Sequence, residues 1–228
     1  MAIDYRITLD DAHEFSYRIE LDREYDAQAA SLAPKWTRLE YQQCSNCPLS
    51  KDNFSHCPAA VDLHRVIEDF HGLPAFKKVV VWVKTPEREY SKQVGLEEGL
   101  RSLLGVIMAT SACPMLGRLK PMAHNHLPFA SSHEFALRAV SLYLTQQYFN
   151  FREGRPADWE LKGLVAQFQQ LQLVNQAFWQ RIHDTCDGDS NLKAFLTFFS
   201  MSSSMTVSLE TQLQKIRPLV MSAGDTIE

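Results

Sequence analysis

Long apolar runs, clustered cations and the common catalytic signatures are all missing from this chain. No window holds about 18 uninterrupted apolar residues, the length a bilayer-spanning helix needs, so no membrane partner is expected. Met1 leads straight into Ala-Ile-Asp-Tyr-Arg-Ile, with no basic region and no apolar region behind it, and no secretory signal is expected. The formal charge is −4, with Lys and Arg scattered. Phosphate neutralisation needs clustered cations, so nucleic acid is not an expected partner. There is no Gly-x-Ser-x-Gly, P-loop, Gly-x-Gly-x-x-Gly or His-Glu-x-x-His, and no internal repeat or low-complexity segment. Cysteines are few and odd in number, five in 228 residues. Without an export signal, that favours free thiols or metal ligation in a reducing cytoplasm over disulfides.

What is present is ordinary globular material, 45% hydrophobic and 22% charged, enough for a sizeable core. Ile3, Tyr5, Ile7 and Leu9 alternate with Asp4, Arg6 and Thr8, and Phe15, Tyr17, Ile19 and Leu21 repeat the period, which predicts a β-hairpin with one apolar face. Trp36 to Gln43 alternates through Leu39 and Tyr41 and reads as a third strand running into Cys44. Pro58 suits the first turn of a helix carrying Leu63, Val66, Ile67 and Phe70, which Gly72 ends. The β-branched run Val79-Val80-Val81-Trp82-Val83 predicts a buried strand, and Arg88 to Val94 an edge strand.

From Leu96 the period becomes helical. Leu96, Leu100, Leu103, Leu104 and Ile107 form a stripe that stops near Cys113-Pro114. Ser131 and Glu134 fit a capping box opening a helix to about Phe151, apolar on most sides and so expected to be buried. The longest helix is expected over about 157–184, with Asn175 in its seam as a hydrogen-bonded core residue; Trp159, Trp179 and Tyr143 read as core or subdomain contacts. Asp187-Gly-Asp-Ser-Asn191 lacks the closing Glu of a calcium loop and reads as a turn; short helices follow at 192–199 and from Met205 to Ile216. The fold class expected is α+β: residues 1–94 a mostly antiparallel sheet with one helix and a Cys-rich loop, packed on residues 95–228, a bundle of about five helices.

The chemistry concentrates in Cys44-Ser-Asn-Cys47-Pro-Leu, closed by His56-Cys57-Pro58. Cys-x-x-Cys lets two thiolates face one ion and Cys57 offers a third; a closed zinc site needs a fourth, for which Cys113, His56, His64 and His124 are the candidates. Cys47, Cys57 and Cys113 are each followed by Pro, a step also found beside iron–sulfur clusters. Three reduced, partly buried thiols, or a redox Cys-x-x-Cys, are the plainer alternatives. His124-Asn-His126 in an extended segment puts both imidazoles on one face; a polar loop capping the bundle is the alternative.

Two phrases together, Cys44-Ser-Asn-Cys47-Pro-Leu with His56-Cys57-Pro-Ala-Ala, and Cys113-Pro with Lys120-Pro-Met-Ala and His126-Leu-Pro-Phe, resemble an uncharacterised bacterial family, a domain of unknown function. The resemblance spans nearly the whole chain. It implies a bacterial source and a self-contained protein, and no activity.

The leading expectation is a non-enzymatic protein with a structural zinc at Cys44, Cys47, Cys57 and Cys113 or His124, acting through a protein partner or as a homo-oligomer. The rivals are an enzyme using Cys113, His124 and His126 with a metal or a reactive thiol, and an iron–sulfur redox protein.

Overall fold

The hairpin period is realised in the computed structural model, which describes residues 1–10, 13–185, 205 and 209–221. Strands β1 (Ala2–Asp10) and β2 (His13–Glu20) pair antiparallel. β3 (Lys78–Lys84) returns antiparallel to the free side of β1, and β4 (Glu89–Gly95) pairs with β3. The sheet order is β2-β1-β3-β4. Its period of two sends Ile3, Tyr5, Ile7, Tyr17, Ile19, Val79, Val81, Val83 and Val94 to one buried face, and charged residues such as Arg6, Arg18 and Lys84 to the other.

Two helices cover the apolar face. α2 (Pro58–Asp69) buries Leu63, Val66 and Ile67, and Phe70 at its end meets Phe15 at a ring-centroid distance of 4.7 Å. Gly72 ends this turn in the left-handed region, φ 75, where a side chain is strained. α3 (Leu96–Thr110) buries Leu96, Leu100, Leu103, Leu104 and Ile107. It lies so close to β3 that a Cβ on Gly99 would come within 2.8 Å of Val81 Cγ2. Between β2 and α2 stand a short helix α1 (Ala27–Leu32), whose first N–H groups are capped by Asp26, and a 3-10 turn at Lys35–Thr37. After α3, a 3-10 turn at Leu116–Leu119 leads into α4 (Lys120–His124).

By backbone contacts the chain forms two compact units, one of residues 1–129 with 173–199, the other of residues 130–172 with 200–228. In the second, α5 (Ser132–Arg152) opens on the capping box: Ser131 N–H and Oγ both donate to Glu134 Oε2 at 2.8 Å. α5 packs with α7 (Leu209–Val220), and Phe135 meets Phe168 of α6 (Lys162–His183) at 5.8 Å. α6 residues from Leu173 onward belong to the first unit.

An Asp158 clasp sets the start of α6. Its Oδ2 accepts from Tyr143 Oη at 2.8 Å and from Gly163 N at 2.7 Å, and these donors, the Gly163 N–H first, hold its carboxyl below the usual range. A Cβ on Gly163 would stand 2.2 Å from Tyr143 Oη. Gly163→Ala is therefore expected to push the tyrosine off Asp158 and cost about 1–3 kcal/mol in a urea titration. Tyr143→Phe should recover part of that loss in the double variant, because the clashing oxygen is gone.

Four expectations are corrected. Trp36 to Gln43 is not a strand: its one ladder contact is an isolated bridge from Arg38 to His56, and Gln42 has a φ of 46. α5 is not buried all round, since Tyr148, Phe149 and Phe151 of its last turn are exposed, as is Trp159. α6 begins at Lys162 rather than near 157, behind Leu161 at φ 62. Asn175 is buried as expected, but neither end of its amide has a hydrogen-bond partner among the described residues. The turn expected at 187–191, the helix expected at 192–199 and Cys186 lie outside the described residues.

Candidate metal centre

The segment 38–57 is a lobe pinched at its neck. Leu39 N donates to Ser55 O at 3.1 Å and Cys57 N donates to Thr37 O at 2.8 Å. Inside it, Cys47 N donates to Cys44 O at 3.0 Å, closing a β-turn that sets the two cysteines at its corners. Cys57 leaves the lobe as the N-cap of α2 and is buried; Cys113 lies just past the end of α3 and is also buried. All four are free thiols.

The chain brings these four together. Cys44 lies in the electrostatic field of Cys57, Cys113 and Cys47, and Cys113 in that of Cys57 and Cys47. Burial is the largest influence on each. It pushes the Cys44 thiol up to about 12 and Cys113 up to about 11, and it raises Cys57 as well.

The backbone opposes burial at the same two offsets in both Cys-Pro steps. The N–H groups of Ala60 and Ala59 lower the Cys57 thiol, and those of Leu116 and Met115 lower Cys113. The Ala59 and Ala60 N–H groups face Cys57 Sγ without reaching an ordinary hydrogen bond. Proline explains the repetition: it starts a helical turn without an N–H of its own, so the next two N–H groups are free to face the preceding sulfur.

A buried cation, Arg181 of α6, also stands at the site, 2% exposed. Its Nη1 donates to Trp36 O and, at 2.9 Å, to Arg38 O, which fixes the neck of the lobe. Its guanidinium stands 5.7 Å from the Tyr41 ring centroid. Burial lowers its pKa; the groups that oppose this are Cys57, Cys44, Tyr41 and Cys47, in that order. Nε has no partner among the described residues. The sequence carried one hint of Arg181, a charged residue three places from Phe178 and next to Ile182 on an apolar stripe.

The sulfurs are gathered but not closed on a point. Among the described residues, no group of three or more His, Cys, Asp or Glu side chains is arranged to hold a metal ion. His124 stands apart in this geometry, half exposed, with Nε2 4.0 Å from Asp22 Oδ1. The segment before it is helical, not extended as expected, and His126 takes a different partner, with Nε2 2.5 Å from Tyr5 Oη, which also hydrogen-bonds Ser102 Oγ at 2.8 Å. His56 is part-buried, its Nδ1 2.9 Å from Ser55 Oγ, and His64 Nδ1 lies 2.5 Å from Val61 O.

Beside the first turns of α2 lies a cleft of about 450 Å³ that the sequence did not signal, with Asp22, Arg23, Tyr25, Asp62 and His64 among its walls. Arg23 Nη2 is 3.2 Å from Asp62 Oδ2 and donates to Ile107 O at 2.7 Å and Thr110 Oγ1 at 2.9 Å, tying the chain after β2 to both sheet-covering helices. Burial pushes Asp62 up to about 6, outweighing the fields of Arg23 and His64 that lower it. The folded state thus holds this proton more tightly than the unfolded chain, so stability falls as pH rises from about 4 through about 6, by up to roughly 3 kcal/mol. Asp62→Asn is expected to flatten that slope, read as urea midpoints across this pH range.

The chain belongs to the DUF6901 family, a domain of unknown function, whose family model matches residues 3–220. Compared with the curated proteins, the chain matches none. Compared with the solved structures, it again matches none. Among the described residues, no helix is long and apolar enough to cross a membrane.

Proposed function

We propose that this member of the family is a non-enzymatic metal–thiolate protein. Cys44, Cys47, Cys57 and Cys113 bind zinc, and the ion braces the lobe 38–57 against the start of α2 and the end of α3. The scaffold so fixed acts through partners in a reducing compartment, the cytoplasm of a bacterial cell. The observation that carries the reading is Arg181. A buried guanidinium is costly without a counter-charge, and the thiol groups of Cys57, Cys44 and Cys47 are among the few that offset its burial. Neutral thiols supply little negative charge. Four thiolates on one divalent ion carry a net charge of about −2, which satisfies it.

The paired N–H groups facing Cys57 and Cys113 support the same assignment, since donors aimed at sulfur favour the thiolate that a metal requires. With Cys113 as the fourth ligand, His124 is left to Asp22. Binding requires the β-turn to carry Cys44 and Cys47 inward, until all four sulfurs stand about 2.3 Å from one ion.

Elemental analysis of protein purified without chelators is expected to return about one zinc per chain. A brown colour under anaerobic purification would assign an iron–sulfur cluster instead. Absence of any metal, with unchanged stability of a Cys44→Ser/Cys47→Ser variant, would overturn the reading.

A further inference from the structure

We infer that the outer edge of β2 is a docking surface for a second copy of this chain, pairing β2 with β2 about a two-fold axis, Ser16 opposite Ser16. The inference does not depend on the metal centre. Among the described residues β2 pairs only with β1, so the other side of the strand from Glu14 to Glu20 has no ladder partner among them. The opposite edge is more guarded. On β4, Lys92 is paired with Glu98 at 2.7 Å and stands 5.7 Å from the Phe129 ring centroid.

The occupant follows from charge. Across the open face of the sheet one row reads Glu89, Lys84, Asp4, Arg18 from edge to edge, each residue opposite the next in register. The signs alternate, and the ion pairs form: Lys84 Nζ to Glu89 at 3.2 Å, and Arg18 Nη1 to Asp4 at 3.1 Å. The row ends on Arg18 at the edge that is unpaired among the described residues; its Nη1 is held by Asp4 and its Nε by Glu20 at 3.1 Å, and in the next place an acid is favoured over a further cation. A two-fold pairing centred on Ser16 puts Glu14 of the second copy in that place and, by symmetry, Arg18 of the second copy opposite Glu14. On the other face it sets Phe15 against Tyr17. Centring on Tyr17 instead would place Glu14 opposite Glu20, and centring on Arg18 would oppose two arginines; both registers are penalised. Each exposed ion pair contributes little, and a single strand edge buries less than a stable interface needs. The dimer is therefore weak and concentration-dependent, its register set by charge and its hydrogen bonds supplied by the backbone.

Sedimentation of the full chain over a wide concentration range tests this. The wild type is expected to dimerise reversibly. Glu14→Arg and Arg18→Glu are each expected to weaken the dimer roughly tenfold or more, and the double exchange to restore much of the affinity. A cross-linking readout does not rely on the charge variants folding: Ser16→Cys, exposed at the axis, should form an intermolecular disulfide on mild oxidation far faster than Arg18→Cys. A chain that stays monomeric throughout, leaving the edge to a strand of some other protein, overturns the inference. So does a dimer indifferent to the charge reversals, or one that cross-links better through position 18.

Discussion

Arg181→Met should cost the zinc-loaded protein about 3 kcal/mol or more, and the metal-stripped protein much less. Methionine fills a similar volume with a flexible chain, so the substitution mainly removes charge and two donors. Those donors hold Trp36 O and Arg38 O, and a hydrogen bond from a charged group contributes about 1.5–3 kcal/mol. What differs between the two states is the counter-charge. Without metal, burial keeps Cys44 and Cys113 protonated, and the guanidinium lies buried with little to balance it. Removing it then relieves a desolvation penalty that offsets the lost hydrogen bonds. With a thiolate shell in place, the same charge is balanced, and its removal costs in full. Urea unfolding of wild type and variant, each with zinc and with chelator, completes a cycle whose coupling term isolates that difference. Equal costs in both states would mean that Arg181 and the thiols do not act on each other, and the counter-charge reading would fall.

The sheet was legible because its signal is local. Ile3, Tyr5 and Ile7 alternate with Asp4 and Arg6 over a full strand, and the period alone decides which side is buried. Trp36 to Gln43 shows where that logic stops. Leu39 does turn inward, 1% exposed, but a strand also needs a partner, and the lobe supplies one bridge and then a left-handed residue at Gln42. Three or four alternating side chains cannot report a missing ladder. α5 erred the other way: its last turn carries Tyr148 and Phe149, whose composition reads as core while their placement leaves them exposed. At the site, the Cys-Pro step legible at Cys57 and Cys113 is accompanied in both places by N–H groups two and three residues on that face the sulfur. The part played by Arg181 had no comparable signature. It depends on α6 passing the neck of a lobe more than a hundred residues earlier in the chain, a contact no local pattern encodes.

If zinc is bound as proposed, chelation should open the lobe before it unfolds the sheet. Structural zinc binding contributes on the order of 10 kcal/mol to small zinc-dependent folds, whereas here the first unit has its own core in Ile3, Tyr5, Leu63, Val81 and Leu100. The stabilisation is thus local to what the ion cross-links. Cys47 makes the sharpest probe, because it is only part-buried and its Sγ lies 4.0 Å from Leu49 O, too far to matter greatly. With chelator present, Cys47→Ser should change stability by less than about 0.5 kcal/mol, the ordinary range for a surface substitution. With zinc present it breaks the shell and should cost several kcal/mol, roughly 3 or more. Amide exchange locates the loss. The N–H groups of Leu39 and Cys57, which close the neck onto Ser55 O and Thr37 O, should exchange much faster after chelation, while amides of β1 and β3 in the sheet interior hold their protection. A Cys47→Ser variant that matches the wild type with and without zinc would leave the thiols as ordinary buried side chains. Uniform loss of protection across lobe and sheet would make the ion a condition of the whole fold rather than a brace for one part of it.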